Sequence, residues 1–332
     1  MITNKATTKK LLNLTNSISI TNISLIQGVW GGYGQLLRIS LAGGVINSVV
    51  LKQVNRPKPK QHPKGWNSNR SHQRKLASYK VESYWYQYYG NFHQHQHCYV
   101  PHCIFSEKTA EQQLLILEDL AVAGFPIVKE SCSITEAKVC VSWLARFHIL
   151  HLNRKPKGLW PTGSYWHLAT RPDELESLQD NQLKEAATKI DQILSMCPFQ
   201  TLIHGDAKLA NFCFSEDGRH VAAVDFQYVG AGCGIKDLIL FISSAIHPLK
   251  CNKQAPILVD YYFKELKILA LQANIDAEKL EAAWRPLYAI AWADFQRFIK
   301  GWSPGHWKIN AYSESLTQQA LGEVDALFSQ AT

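Results

Sequence analysis

Apolar positions along the first third of the chain fall in short runs broken by glycine, from Ile23 to Leu51 with Gly28, Gly31, Gly32, Gly34, Gly43 and Gly44 between them. That spacing predicts antiparallel strands joined by tight turns. Val49 to Val54 reads as one more strand, carrying a single inward lysine, Lys52. Asn55 to Asn69 holds three prolines among turn-forming residues and is predicted to be a loop. A helix is predicted over Ser71 to Tyr89, with Leu76, Tyr79, Val81, Trp85 and Tyr86 apolar or aromatic. Strands are predicted over Cys98 to Phe105 and Leu114 to Leu117, so that Glu118-Asp119-Leu120 closes the first unit.

Beyond residue 120 the period lengthens toward that of a helix. Helices are predicted over Ile134 to Leu152, Pro172 to Met196, Leu238 to Ile246, Ile257 to Gln272, Ala277 to Trp302 and Ser313 to Phe328. Two short apolar segments, Thr201 to Ile203 and Val221 to Val224, interrupt this series. The expected architecture is α+β. A small lobe, residues 1–120, combines an antiparallel sheet with a helix; a larger, mainly helical lobe spans 121–332. A length of 332 residues exceeds the usual single-core limit and suits that division.

Composition changes the picture little: 46% hydrophobic and 19% charged residues describe an ordinary globular protein. No signal peptide and no apolar run of membrane-spanning length is visible. Eight cysteines without a C-x-x-C pair read as free thiols, hence a cytoplasmic location. Charge is uneven. Residues 1–120 carry 14 Lys/Arg against 5 Asp/Glu, residues 121–332 carry 21 against 22, and the net is +8. Eight of the basic residues lie between Arg56 and Lys80 with no acid among them. A solvated loop is the simpler reading, an anion-binding rim the sharper one. Nucleic-acid binding is not favoured, because no nucleic-acid motif accompanies the charge.

The chemistry concentrates in His204-Gly205-Asp206-Ala207-Lys208-Leu209-Ala210-Asn211 and in Val224-Asp225-Phe226-Gln227. Asp206 can accept a hydrogen bond from an attacking hydroxyl. Asn211 and Asp225 offer the hard oxygen ligands that Mg²⁺ prefers. Lys52, costly to bury unpaired, is the candidate phosphate lysine, and Glu82, the first acid after it, is its expected partner. Gly31, Gly32 and Gly34 could cover phosphates with backbone N–H groups, although the segment does not match G-x-G-x-x-G. His204 suits a structural role in shaping the loop; Asp237 could cap a helix or brace that loop. His93, His95, His97, Cys98, His102 and Cys103 lack a familiar zinc spacing and read as a surface run and strand start. Trp284, Tyr288, Trp292, Phe295 and Phe298 read as core at helical spacing, Trp302 and Trp307 as pocket candidates.

His-Gly-Asp-x-x-x-x-Asn, Val-Asp-Phe-Gln and Gly-x-Gly-x-x-Asp-Leu together resemble the aminoglycoside phosphotransferase and choline kinase superfamily. The Asp-Phe-Gln form is most similar to its ecdysteroid kinase-like branch. The resemblance runs from Gly28 to His247 and is strongest over 204–241. It implies a protein-kinase-like fold, ATP and Mg²⁺, and a small-molecule hydroxyl as acceptor. Asp206 would be the catalytic base, with Asn211 and Asp225 on Mg²⁺ and Lys52, paired to Glu82, on the phosphates. Glu118, Asp119 and Leu120 would form the hinge that meets adenine through its backbone. Gly205 stands where protein kinases carry Arg, and Ala-Pro-Glu is absent, so a protein substrate is not expected. The near-neutral C-terminal region does not suit polycationic antibiotics. Two alternatives compete: a nucleotide-binding pseudokinase or scaffold, which the intact Lys52, Asp206, Asn211 and Asp225 oppose, and a nucleic-acid binder working through the basic stretch. The acceptor (amino alcohol, sterol-like or sugar-like) has no diagnostic spacing.

Overall fold

The computed structural model describes residues 5–29, 32–55, 69–90, 97–109 and 112–331. Gly31, His93, His95 and the basic positions Arg56 to Lys64 lie outside the described residues.

Helix α1 (Lys5–Thr15) precedes β1 (Ser19–Val29), β2 (Gly34–Ala42) and β3 (Ser48–Asn55). Helix α2 (Asn69–Tyr88) leads to β4 (Cys103–Lys108) and β5 (Gln112–Glu118). The five strands form one antiparallel sheet in the order β1-β2-β3-β5-β4. Strand β3 is central, with Lys52 opposite Leu36 on β2 and Leu115 on β5. Period-two alternation divides the faces. Leu37, Ile39, Val49, Leu51, Leu114 and Ile116 pack on one side around Leu11 of α1. Lys52, Val54, Leu115 and Leu117 therefore point the other way, toward α2 and the main core. Gln113, opposite Val54, ties α2 to that face by donating to the Tyr79 carbonyl at 2.6 Å.

The rest is helical around short strands. It comprises β6 (Ile127–Val128), α3 (Ile134–Leu150), β7 (Trp160–Thr162), α4 (Pro172–Glu176), α5 (Asn181–Met196) and β8 (Thr201–Ile203). Strands β9 (Phe212–Phe214), β10 (Val221–Ala223) and β11 (Gly230–Gly232) follow. Helices α6 (Ile235–Ala245), α7 (Cys251–Gln272), α8 (Ala277–Trp284), α9 (Leu287–Trp302) and α10 (Ala311–Ala331) complete the chain. Helix α3 opens with a capping box in which the Ser133 hydroxyl accepts from the Glu136 amide and Glu136 accepts from the Ser133 amide. Such a cap contributes on the order of 1 kcal/mol. The α+β fold with a small sheet-plus-helix lobe and a helical lobe is as expected.

Several element bounds differ from expectation. The stretch 172–196 is two helices, because Asp180 caps α5 by accepting from the Leu183 amide at 3.1 Å. Pro286 cannot donate to a continuing helix, so 277–302 divides into α8 and α9. Cys98 begins no strand: Tyr99 makes one isolated bridge to Ala222, and the sheet strand starts at Cys103. Helix α1 was not anticipated, although Thr7, Leu11 and Thr15 are buried four residues apart on one helical face.

Candidate functional site

The segment from His204 to Asn211 leaves β8 and enters β9 through a 3₁₀ turn, Leu209–Asn211. Its shape is dictated by buried polar groups that must find partners. Asp237, in the first turn of α6, is fully buried. One of its oxygens accepts from the His204 amide at 2.6 Å and from His148 Nε2 at 3.1 Å; the other accepts from the Gly205 amide at 2.9 Å. Of the two roles expected for Asp237, bracing the loop is the one observed; it makes no cap for α6. His148 is held on its far side by Tyr262 at 2.7 Å. His204 accepts from the Asp206 amide on Nδ1 at 3.2 Å and lies 3.0 Å from the Val224 carbonyl through Nε2, which must therefore donate. Both ring nitrogens are committed to backbone, the structural role expected.

Gly205 has φ +77°, and a Cβ there would lie 2.1 Å from the Tyr228 carbonyl oxygen. No side chain fits. The glycine that replaces the protein-kinase arginine is thus demanded by a close backbone approach. The result turns Asp206 toward Asn211 and Lys208. Asn211 donates from Nδ2 to the Asp206 carbonyl at 2.8 Å and to its carboxylate at 3.3 Å, and Lys208 Nζ is 3.1 Å from the same oxygen. With its amide nitrogen so used, Asn211 keeps its side-chain oxygen for another ligand.

Asp225 follows β10 and sits at φ +69°, a conformation uncommon for a residue with a Cβ. Its Oδ1 accepts from Gln227 Nε2 at 2.7 Å and lies 3.5 Å from Lys52 Nζ; Gln227 in turn accepts from Ser78 on α2. Lys52 Nζ donates to Glu82 Oε1 at 2.7 Å. Both charges of that pair are buried. What holds α2 close enough is aromatic. Trp85, one turn beyond Glu82, stacks on Phe226 with centroids 4.6 Å apart, and Phe226 also touches the His204 ring at 4.5 Å. The residue after Asp225 therefore links the sheet lobe's helix to the 204–211 loop.

Electrostatics follow the geometry. Burial raises the Asp206 carboxyl above its usual value, with Lys208 acting against the rise and Asp225 adding to it. Burial alone would raise Asp225 too, but Lys52, Lys208 and His204 hold it below the usual carboxylate range. Glu82 is pushed up to about 7 by burial, against the pull of Lys52. Burial works against a charged Lys52, yet Glu82 and Asp225 keep its pKa above the ordinary lysine value. Among the described residues no group of three or more His, Cys, Asp or Glu could hold a metal unaided. The zinc reading gains nothing, and all eight cysteines are free thiols. A divalent cation that takes part of its shell from phosphate needs fewer protein ligands. The outer Asp225 oxygen, the Asn211 oxygen and the nearby Asp206 carboxylate fit that demand.

Residues 118–120, expected to form a hinge, use their side chains in the fold. Asp119 accepts from Arg38 Nε at 2.8 Å and Ser48 Oγ at 2.6 Å, Glu118 accepts from the Tyr99 hydroxyl at 3.0 Å, and Leu120 is buried against Phe125 and Ala222. Gly32 lies in the β1–β2 turn at φ +74°. Gly34 is a strand residue, where a Cβ would meet the Gln53 carbonyl at 1.9 Å.

Below Asp206 and Asp225 opens a cleft of about 600 Å³, walled by α2, α4 and the α9–α10 connection. Trp302 lines it, while Trp307 is half exposed at 52% and stacks on His306. Phe298 is buried in the core, as read from the sequence, and also borders the cleft, stacking on Trp302 at 5.9 Å. Arg74 and Lys75 on the cleft wall fall within the basic stretch offered as an anion-binding rim; sequence reading missed Arg171 and Lys308 there. These come from separated elements and share no spacing. Lys208 and Gln227 were legible, since each sits inside a motif next to the acid it contacts.

No curated protein matches the chain significantly in sequence. Among solved structures, a thermostable mutant of aminoglycoside phosphotransferase APH(4)-Ia, in complex with ADP and hygromycin B, is similar at 12% identity and TM-score 0.50. The match covers 98% of each chain. An ethanolamine kinase from Plasmodium vivax is similar at 13% identity and TM-score 0.50, covering 96% of this chain and 86% of that one. At such identity these likenesses bear on fold alone. The family model of the ecdysteroid kinase-like family matches residues 60–157 and 163–274, well over half the chain. With its sheet, helix and Asp-bearing loops arranged as described, this chain belongs to the ecdysteroid kinase-like family.

Proposed function

We propose that the protein transfers the γ-phosphoryl group of ATP to the hydroxyl of a small molecule, with Mg²⁺. The observation that carries this reading is the meeting of Lys52, Glu82 and Asp225 across the lobes, with Asp225 on the same cleft as Asp206. In this reading residues 1–120 hold the nucleotide phosphates, and residues 121–332 carry the Asp206 loop, the metal ligands and the acceptor helices. The hinge backbone at 118–120 and the turn at Gly31, Gly32 and Gly34 border the nucleotide.

Asp206 accepts the hydrogen bond of the acceptor O–H and orients its oxygen toward the γ-phosphorus. As the new O–P bond forms, the bond to the β–γ bridging oxygen breaks, and ADP leaves with that electron pair. The acceptor proton passes to the Asp206 carboxylate and then to solvent. Lys52, fixed by Glu82, binds the phosphates, and Lys208 offers positive charge beside Asp206. Asn211 and Asp225 hold the cation. Mg²⁺, when bound, neutralises the charge that spreads over the phosphate oxygens. The free thiols and the family fit a cytoplasmic enzyme.

The test is ADP release with Mg·ATP and a panel of alcohols, amino alcohols, sugars and sterols. Asp206→Asn keeps the size of the side chain and removes the proton acceptor. It should lower acceptor-dependent turnover by about 10²–10⁴-fold while Mg·ATP still binds. Turnover undiminished in that variant would remove Asp206 from the reaction.

A further inference from the structure

The charges lining the cleft below Asp206 are not balanced, and the imbalance bears on the acceptor. The acids there are Asp173, Glu174, Asp206 and Asp225. Each is already in an ion pair: with Arg70 at 3.2 Å, Arg171 at 2.9 Å, Lys208 at 3.1 Å and Lys52 at 3.5 Å, respectively. The second oxygen of Glu174 is buried and accepts no hydrogen bond from the fold. The bases are differently placed. Arg74 donates to a neutral group, the Thr170 carbonyl, at 2.7 Å. Lys308 lies over the rings of Phe295 at 5.4 Å and Trp307 at 5.6 Å. Among the described residues neither Arg74 nor Lys308 forms an ion pair. Lys75 stands on the same wall.

These cations repel one another in a partly desolvated space. Burial pushes Lys75 down to about 7; Asp225 pulls it back, while Arg74, Arg171 and Lys52 depress it further. Burial likewise lowers Lys308 to about 8, with Asp206 opposing and Lys208 adding to the fall. An anion entering the cleft would relieve both. Part of the remaining wall, Tyr165, Tyr228, Phe298 and Trp302, is aromatic and suits an apolar or ring-bearing body. Tyr165 meets Phe298 edge-on at 5.4 Å, and Phe298 stacks on Trp302.

We propose that the acceptor is an alcohol bearing a negatively charged group, with its anion on Lys308 and Arg74 and its apolar body against Tyr165, Phe298 and Trp302. The inference rests on the phosphotransfer reading and specifies its second substrate. Lys308 lines the same cleft as Asp206 and Lys208, which places it on the acceptor side. A cationic alcohol would find no unpaired carboxylate among these four acids.

The full-length protein decides this with matched sets of single-ring and fused-ring alcohols. Each is supplied as the carboxylate, the methyl ester and the corresponding amine, and ADP release is measured with Mg·ATP. The carboxylate should exceed its ester in kcat/KM by about 10- to 100-fold, the usual worth of a hydrogen bond to a charged partner. Lys308→Glu should reverse the order of carboxylate and amine. Lys308→Gln, closer in shape, should raise the KM of the carboxylate rather than that of ATP. Esters or amines used as well as carboxylates, or a KM effect of Lys308→Gln confined to ATP, would overturn the proposal. Calorimetric titration of the carboxylates into the ADP-bound protein is the second arm, and no binding at millimolar concentration would also overturn it. A protein that binds no Mg·ATP would sink the phosphotransfer reading separately, and titration of the same carboxylates into the nucleotide-free protein would then decide the anion site.

Discussion

Replacing Asp237 by Asn changes no shape and removes one acceptor from a buried cluster with three donors. The carboxylate serves the His204 amide, the Gly205 amide and His148 Nε2 with two oxygens, at 0% exposure. An asparagine has one oxygen. If that oxygen takes the place shared by His204 and His148, its NH₂ faces the Gly205 N–H, donor against donor. If it serves Gly205, the NH₂ faces the other two. At least one buried main-chain amide loses its acceptor, at about 1–3 kcal/mol, and the surviving bonds lose the strength that the charge gave them. We expect a loss of about 2–4 kcal/mol in unfolding free energy by urea titration, a large share of the usual 5–15 kcal/mol total. The damage should also be local. Amide exchange over 204–206 should quicken by about 30- to 1,000-fold, since each 1.4 kcal/mol is tenfold. A stability change below ~0.5 kcal/mol with unaltered exchange over the loop would refute the bracing role of Asp237.

Three further substitutions test the framework of the fold. Gly205→Ala places a Cβ against the Tyr228 carbonyl at positive φ and should destabilise by more than about 2 kcal/mol or prevent folding. Gly322→Ala, exposed inside α10 with nothing within 4 Å, should instead stabilise by about 0.5–1 kcal/mol, both read from melting temperatures. Asp294 is buried between Lys236 at 3.0 Å and Arg297 at 2.8 Å. Burial acts to raise its carboxyl, but the two cations hold it well below the ordinary carboxylate range. A depressed folded-state pKa adds stability above the unfolded-state value near 3.9, lost as pH falls through the folded one. Asp294→Asn should therefore cost about 3–5 kcal/mol at neutral pH, by stranding two buried cations. It should also flatten the dependence of stability on pH below ~4, which urea titrations across pH would reveal.

The fold and the meeting of Lys52, Glu82 and Asp225 were legible in the chain because both rest on local, repeating constraints. Alternation around Val49 to Val54 puts Lys52 on the face away from Leu51, and that face is where Glu82 waits. The His-Gly-Asp spacing carries its own geometry, since Gly205 admits no side chain and His204 has both nitrogens committed. Helix ends were less legible. The break at Asp180 depends on a cap, and Pro286 could have been given more weight as a stop inside 277–302. The cleft below Asp206 was least legible. Arg171 and Lys308 come from the α4 N-terminus and the α9–α10 connection, and only the packing of those elements brings them onto one cleft with Arg74 of α2.

The central claim is that Asp225, held at positive φ between Gln227 and Lys52, binds the cation that accompanies ATP. The most direct measurement is calorimetric titration of ATP into the native protein and into Asp225→Ala, each with and without Mg²⁺. The account predicts that Mg²⁺ tightens ATP binding to the native protein and that Asp225→Ala abolishes the tightening while the protein stays folded. ATP binding indifferent to Mg²⁺ in the native protein, or a Mg²⁺ effect preserved in the variant, would contradict it.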